Sequence, residues 1–94
     1  MKRFVPAAQL TFSTVLKDKA RLAVFLKPLK GQEWVFDLSQ VTACDSAGLA
    51  LLVQAKRLGD KHKSPCQFEG VSQTIQSLVK FCGVNMFILE KQGG

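Results

Sequence analysis

Trp34 to His62 reads WVFDLSQVTACDSAGLALLVQAKRLGDKH, and this stretch decides the fold. Trp34-Val35-Phe36-Asp37-Leu38 is a near-continuous apolar run bounded by turn residues. Such a run suits an interior strand covered on at least one face. Asp37 interrupts it near the C-terminal end, where functional groups gather in open sheets. Ser39 to Asp45 reads as the connecting loop, with Val41 and Cys44 as inward anchors. A helix then runs from about Ser46 to Lys61. At about 100° per residue, Leu51, Leu52, Ala55, Leu58 and Gly59 share one face. Leu49, Ala50 and Val53 point away from it, and Ser46 shares their side. The first half of this helix is therefore apolar nearly all round. A helix buried on both sides has a second neighbour, either another helix of the same domain or a partner protein.

Outward from this stretch the chain alternates. Lys2 to Ala8 reads as a short first strand at a sheet edge, where Pro6 can lack its N–H without breaking a ladder. Leu10-Thr11-Phe12 leads into a helix from about Ser13 to Leu26, capped by Ser13 or Thr14. Its expected apolar face is Val15, Leu16, Ala20, Leu22, Ala23 and Leu26, although Lys17-Asp18-Lys19 blunts the period. Pro28 and Gly31 mark the exit. Beyond the turn at Ser64-Pro65, Cys66 to Gly70 reads as a strand with Phe68 inward. Ser72 caps a helix in which Ile75, Leu78, Val79 and Cys82 recur at helical spacing. Phe81 falls off that face, and Gly83-Val84 forms a glycine stop with its hydrophobic contact. Met86 to Leu89 reads as a last strand and Glu90 to Gly94 as a tail. Strand and helix alternation of this kind predicts a single α/β domain with a mostly parallel sheet of four or five strands and about three helices.

The totals agree with one domain. The chain has 94 residues, 47% hydrophobic and 21% charged, an ordinary globular composition. No apolar run approaches the roughly 20 residues that span a bilayer. The N-terminal Lys2-Arg3 is not followed by a signal-peptide core, so the expected location is the cytosol. Cys44, Cys66 and Cys82 are odd in number and widely spaced, with no C-x-x-C and one histidine, His62. They read as reduced thiols among apolar neighbours, not as a zinc site or a disulfide framework. No cofactor is expected.

The net charge is +6. Lys17, Lys19, Arg21, Lys27 and Lys30 face only Asp18 within Lys17–Lys30, and Lys56, Arg57, Lys61 and Lys63 crowd the end of the central helix. Such clusters serve nucleic acid, anionic headgroups or a solvated helix end. No RNP-like aromatic motif, recognition helix or zinc finger accompanies the charge, so nucleic acid is not the expected partner.

Standard catalytic patterns are missing as well. No serine sits in G-x-S-x-G, and there is no G-x-G-x-x-G, P-loop or paired carboxylate motif. The junction of strand and helix is the remaining site. Asp45 and Ser46 are both strong N-cap types. The first N–H groups of a helix lack internal partners and favour an anion by about 0.3–1 kcal/mol. A phosphate on Ser46 would be tolerated by the helix, repelled by Asp45, and would place about −1.5 to −2 charges on a small apolar surface. In the plainer alternative, the two residues only cap the helix.

Asp37-Leu38-Ser39-Gln40-Val41 followed by Asp45-Ser46-Ala47-Gly48-Leu49-Ala50-Leu51-Leu52 resembles the signature of STAS domains, named after sulfate transporters and anti-sigma-factor antagonists. Leu10-Thr11-Phe12-Ser13-Thr14-Val15, Phe68-Glu69-Gly70-Val71 and Cys82-Gly83-Val84 extend the resemblance along nearly the whole chain. It implies a sheet with helices mainly on one face and a non-enzymatic, protein-binding role over residues 1–94. In the antagonists, the serine matching Ser46 is phosphorylated by an anti-sigma kinase, and this blocks binding. The D-S-A-G-L-A-L-L form is most similar to the MlaB-like standalone STAS subunit of Mla-type lipid-transport ABC systems, which sits on the cytoplasmic ATPase subunit. Ala47 stands where many phospho-switched antagonists carry a second serine. The resemblance thus implies a docking edge made of Ser46, Ala47, Gly48 and Leu49, with Val53 behind them and Asp45 holding the turn. It also implies peripheral placement at the inner membrane through the ATPase. The edge of the first strand leaves dimerisation open.

Overall fold

In the computed structural model, which describes residues 2–83, the chain runs β1 (Lys2–Phe4), β2 (Gln9–Leu10), α1 (Val15–Leu26), β3 (Trp34–Asp37), β4 (Ala43–Cys44), α2 (Ser46–Lys61), β5 (Cys66–Glu69) and α3 (Gln73–Cys82). Strands β1, β3 and β5 form one parallel sheet in that order. A two-residue parallel ladder joins β2 to β4, with Gln9 beside Ala43 and Leu10 beside Cys44. The strands step one way across the main sheet, so right-handed crossovers bring α1 and α2 to the same face.

The register makes that face aromatic. Phe4, Phe36 and Phe68 lie side by side across the three strands. Phe4 meets Phe36 at 5.2 Å between ring centroids, and Phe25 of α1 at 5.5 Å. Trp34, one step along the same face, sits 5.4 Å from Phe25. Its indole N–H donates to the Ser64 carbonyl at 2.8 Å, so burying the ring leaves no polar atom unpaired. Leu22, Leu26, Leu52, Ala55, Ile75 and Val79 close the core from the three helices. On the alternate face Arg3 reaches across the strands, donating to Asp37 at 3.1 Å and Glu69 at 2.7 Å.

The structure corrects the expected elements in several places. The first strand does not run unbroken from Lys2 to Ala8. Pro6 has no N–H to give, and the Ala7 N–H turns away to the Asp18 carboxylate at 3.1 and 3.3 Å. The chain then resumes as β2 in the second ladder. The Ser39 to Asp45 loop contains β4, which β2 recruits; Thr42 donates its N–H to Ala8 at 2.7 Å.

Helix α1 begins at Val15, after a turn in which the Thr11 N–H donates to Thr14 Oγ1 at 3.0 Å. Its inward side is only partly the expected one: Val15, Leu22 and Leu26 face the core as expected, and Leu16, Ala20 and Ala23 do not. Leu16 is 80% exposed, and Ala20 and Ala23 are exposed as well. Asp18, Leu22 and Leu26 are buried, with Val15 and Phe25 half-buried. Asp18 can be only 1% exposed because Ala7 and Arg21, the latter at 2.8 Å, both donate to it. A paired carboxylate takes a place on the apolar stripe.

Leu49 was expected on the side of α2 away from the core, yet it is 2% exposed and belongs to the core cluster. Helix α2 lies between α1 and α3, so its second neighbours are helices of the same domain. Helix α3 follows the expected pattern at its ends: the Ser72 hydroxyl accepts the Ile75 N–H at 3.2 Å, and Gly83 takes the left-handed φ of 67°. Cys82, expected on the apolar face, is exposed, as is Phe81. The Val84 contact, the strand Met86–Leu89 and the tail Glu90–Gly94 lie outside the described residues.

Candidate docking site

The site begins with a carboxylate. Asp45 has extended backbone and is the N-cap of α2; its Oδ1 accepts the Gly48 N–H at 2.9 Å. Its Oδ2 accepts the Phe12 N–H at 3.0 Å. One side chain thus ties the start of α2 to the turn before α1. Both bonds favour the ionised form, the Phe12 bond most, and hold the Asp45 carboxyl below the usual aspartate range. Beside it, burial and the Asp45 charge push the Cys44 thiol up to about 11. A thiol so raised is a poor nucleophile near neutrality.

Gly48 is where α2 meets β2. A Cβ there would stand 2.0 Å from the Leu10 carbonyl oxygen and 3.0 Å from Cys44 Sγ. The missing side chain lets the helix lie against the strand backbone. Gly48 is therefore buried scaffold, as is Leu49, and neither offers a free side-chain surface. Of the six expected contact residues, Ser46 is exposed while Asp45, Ala47 and Val53 are half-buried.

The outer ridge of α2 is made of the exposed Ser46, Ala50 and Gln54 with the half-buried Ala47 among them, and a groove lies on either flank. The groove toward α1 has a volume of about 300 Å³ and is lined by Phe12, Val15, Leu16, Lys19, Ala47 and Ala50, among others. The groove toward the end of α3 has about 500 Å³ and is lined by Ser46, Leu49, Ala50, Val53, Arg57 and Cys82, among others. Leu49 reaches the surface only as the floor of this second groove.

Phe12 and Leu16 are each 80% exposed, whereas the sequence pattern places Phe12 in the lead-in to α1 and Leu16 on its apolar face, and neither at a binding surface. Two large apolar side chains open to solvent beside a ridge of small residues form a contiguous apolar surface of the kind that marks a protein interface. Lys19 and Arg57 are the charged residues lining these grooves, and the neighbouring Asp45 is occupied by two N–H groups.

A third groove, about 530 Å³, runs between β1 and α1 past Phe4, Val24 and Phe25. Its two arginines are committed, Arg21 to Asp18 and the Val5 carbonyl, and Arg3 to Asp37 and Glu69. Among the described residues no cluster of three His, Cys, Asp or Glu side chains could hold a metal ion, and no helix is long and apolar enough to cross a membrane.

A family model described as Mlab, STAS domain matches residues 8–90. Comparison with curated proteins finds no match, and comparison with solved structures finds none either.

Proposed function

The chain belongs to the Mlab-type STAS domain family, and from that premise we propose that it is the adaptor subunit of an Mla-type lipid-transport ABC system. STAS domains are protein-interaction modules with a regulatory or adaptor role and are generally non-catalytic. In this reading the domain docks on the cytoplasmic ATPase, supports its assembly and activity, and sits at the inner membrane through that partner. The transport it serves maintains outer-membrane lipid asymmetry.

The observation that carries the reading is the ridge of small residues Ser46, Ala47 and Ala50, of which Ser46 and Ala50 are exposed, beside the exposed Phe12 and Leu16. The small residues let a partner backbone approach closely, and the large ones supply apolar area to bury. Asp45 contributes by fixing Phe12 relative to Ser46, not by presenting its charge.

The test is co-purification with the ATPase subunit. Ala50→Arg and Ser46→Glu should abolish capture while leaving the melting midpoint unchanged, because both side chains are exposed. Phe12→Ala should weaken binding about tenfold or more, and it spares the fold because Asp45 holds the backbone N–H and not the ring. Undiminished capture by the folded variants would sink the assignment.

A second reading, an anti-sigma antagonist switched by phosphate on Ser46, is favoured by one observation: Ser46 is exposed at the first helical position of α2, within reach of a kinase. It requires Ser46 to gain a phosphate in the presence of a partner kinase, detectable as a mass shift on the peptide that contains it.

A further inference from the structure

The basic residues of Lys17–Lys30 form one segment in the sequence but not one patch on the molecule, because α1 spreads them along its length. Lys19 lines the groove beside the α2 ridge. Arg21 is held by Asp18 at 2.8 Å and the Val5 carbonyl at 2.9 Å, with its guanidinium 5.0 Å from the centre of the Phe4 ring. Lys27 and Lys30 lie beyond the last turn of α1, where they meet a second basic run, Lys61-His62-Lys63 at the end of α2.

Direct bonds hold these two turns together. Gly31 donates its N–H to Ser64 Oγ at 3.0 Å, and Trp34 donates its backbone N–H to the Pro65 carbonyl at 3.1 Å. Four exposed lysines and one exposed histidine thus share one end of the domain. The acids in these turns are Glu33 and Asp60, and Asp60 is paired with Lys56 at 3.6 Å. Helix α2 separates this pole from Ser46 by about 24 Å, at about 1.5 Å for each of its 16 residues.

Two of the lysines stand where the backbone prefers glycine. Lys30 has φ 46° and Lys63 φ 58°, both in the left-handed region that side chains with a Cβ enter at a cost. A helix C-terminus attracts cations, which accounts for Lys61 in the last turn of α2. The dipole alone does not call for lysine in a left-handed position, where glycine is the usual choice. Such an outlier points to the ammonium group itself as what the position serves.

We propose that this pole is an electrostatic contact for the surface of an anionic phospholipid bilayer. Clusters of four or more Lys and Arg side chains suit anionic headgroups, each adding about fivefold to binding. A lysine ammonium is a hydrated point charge on a flexible stem, which fits mobile phosphates without fixed geometry. Nucleic acid fits less well, because these turns expose no Phe, Tyr or Trp ring on which a base could stack, and His62 is their one exposed ring. The contact lies at the far end of α2 from the docking ridge and does not depend on the function proposed above.

The test is flotation of the purified chain with vesicles of phosphatidylcholine alone or phosphatidylcholine mixed with phosphatidylglycerol, alongside titration of a DNA duplex at the same salt. The chain should bind the phosphatidylglycerol vesicles, release them as salt rises, and ignore the neutral ones. The double variant Lys30→Gly, Lys63→Gly should lose about twenty-five-fold in vesicle affinity. Its melting midpoint should stay level or rise, since glycine suits both backbone positions. Equal or absent binding to the two vesicle types, unchanged binding by the double variant, or tighter binding to the duplex than to the vesicles would each overturn the proposal.

Discussion

The Asp45 carboxylate accepts the Phe12 N–H at 3.0 Å across 33 positions of sequence, while its other oxygen caps α2 at Gly48. The start of the central helix and the exposed Phe12 ring are thereby fixed to each other. Asp45→Ala removes both bonds at once. The melting midpoint should fall by roughly 5 °C or more, the scale of a lost N-cap in a domain of this size. Partner capture should weaken beyond what the lost stability explains, because Phe12 is no longer held beside the ridge. A thermal melt and a co-purification on the same preparation check the two effects.

Gly48→Ala reverses the usual helix rule. Alanine is worth about 1 kcal/mol over glycine inside a helix. Here the added Cβ would meet the Leu10 carbonyl at 2.0 Å, and that neighbour is backbone, which cannot swing aside. The substitution should destabilise by about 1–3 kcal/mol, read as a lower denaturant midpoint. The displacement should also loosen the β2–β4 ladder, so the amides of Leu10 and Asp45 should exchange faster with solvent.

Acid should act through Asp45 and Asp37. The Asp37 carboxyl is held below its ordinary value chiefly by Ser39, whose hydroxyl donates at 2.6 Å and whose N–H donates at 2.9 Å. Both aspartates thus bind their protons less readily folded than unfolded. A depressed carboxyl gives stability that is fully present above the unfolded value and is lost as pH falls through the folded one. Stability should be level down to about pH 4, near the ordinary value of 3.8, and decline below it. In Asp45→Asn the decline should be shallower, as measured by melting midpoints across the acid range.

Thiol labelling should distinguish the cysteines. Cys66 is fully buried, Cys44 is half-buried with its thiol raised to about 11, and Cys82 is exposed. At neutral pH a maleimide should modify Cys82 first and leave the other two until the fold opens. Mass spectrometry of the native and denatured protein reads this directly. Rapid labelling of Cys44 in the native protein would contradict the packing of β4 against α2.

Local sequence patterns specify the alternation of strands and helices, the parallel sheet, the Asp45-Ser46 start of α2, and the capped ends of α3. These follow from local physics: apolar period, cap chemistry and glycine at a left-handed turn act over a few residues and need no knowledge of neighbours. The inward faces of α2 and α3 largely follow the apolar period, and the tertiary contacts set where a helix departs from it. Asp18 turns inward because Ala7 and Arg21 satisfy its charge. Leu16 turns outward in consequence, and Leu49 is buried because α1 and α3 flank α2. Tertiary structure also built the ladder between β2 and β4, set Phe12 beside Ser46, and gathered Lys27 and Lys30 with Lys61 and Lys63. Each of these joins residues far apart in the chain, and no local period records such a contact. The proposed docking edge is legible in the sequence only as a position on α2, and its large apolar half comes from α1 and the turn before it, because a carboxylate on one element holds the backbone of another.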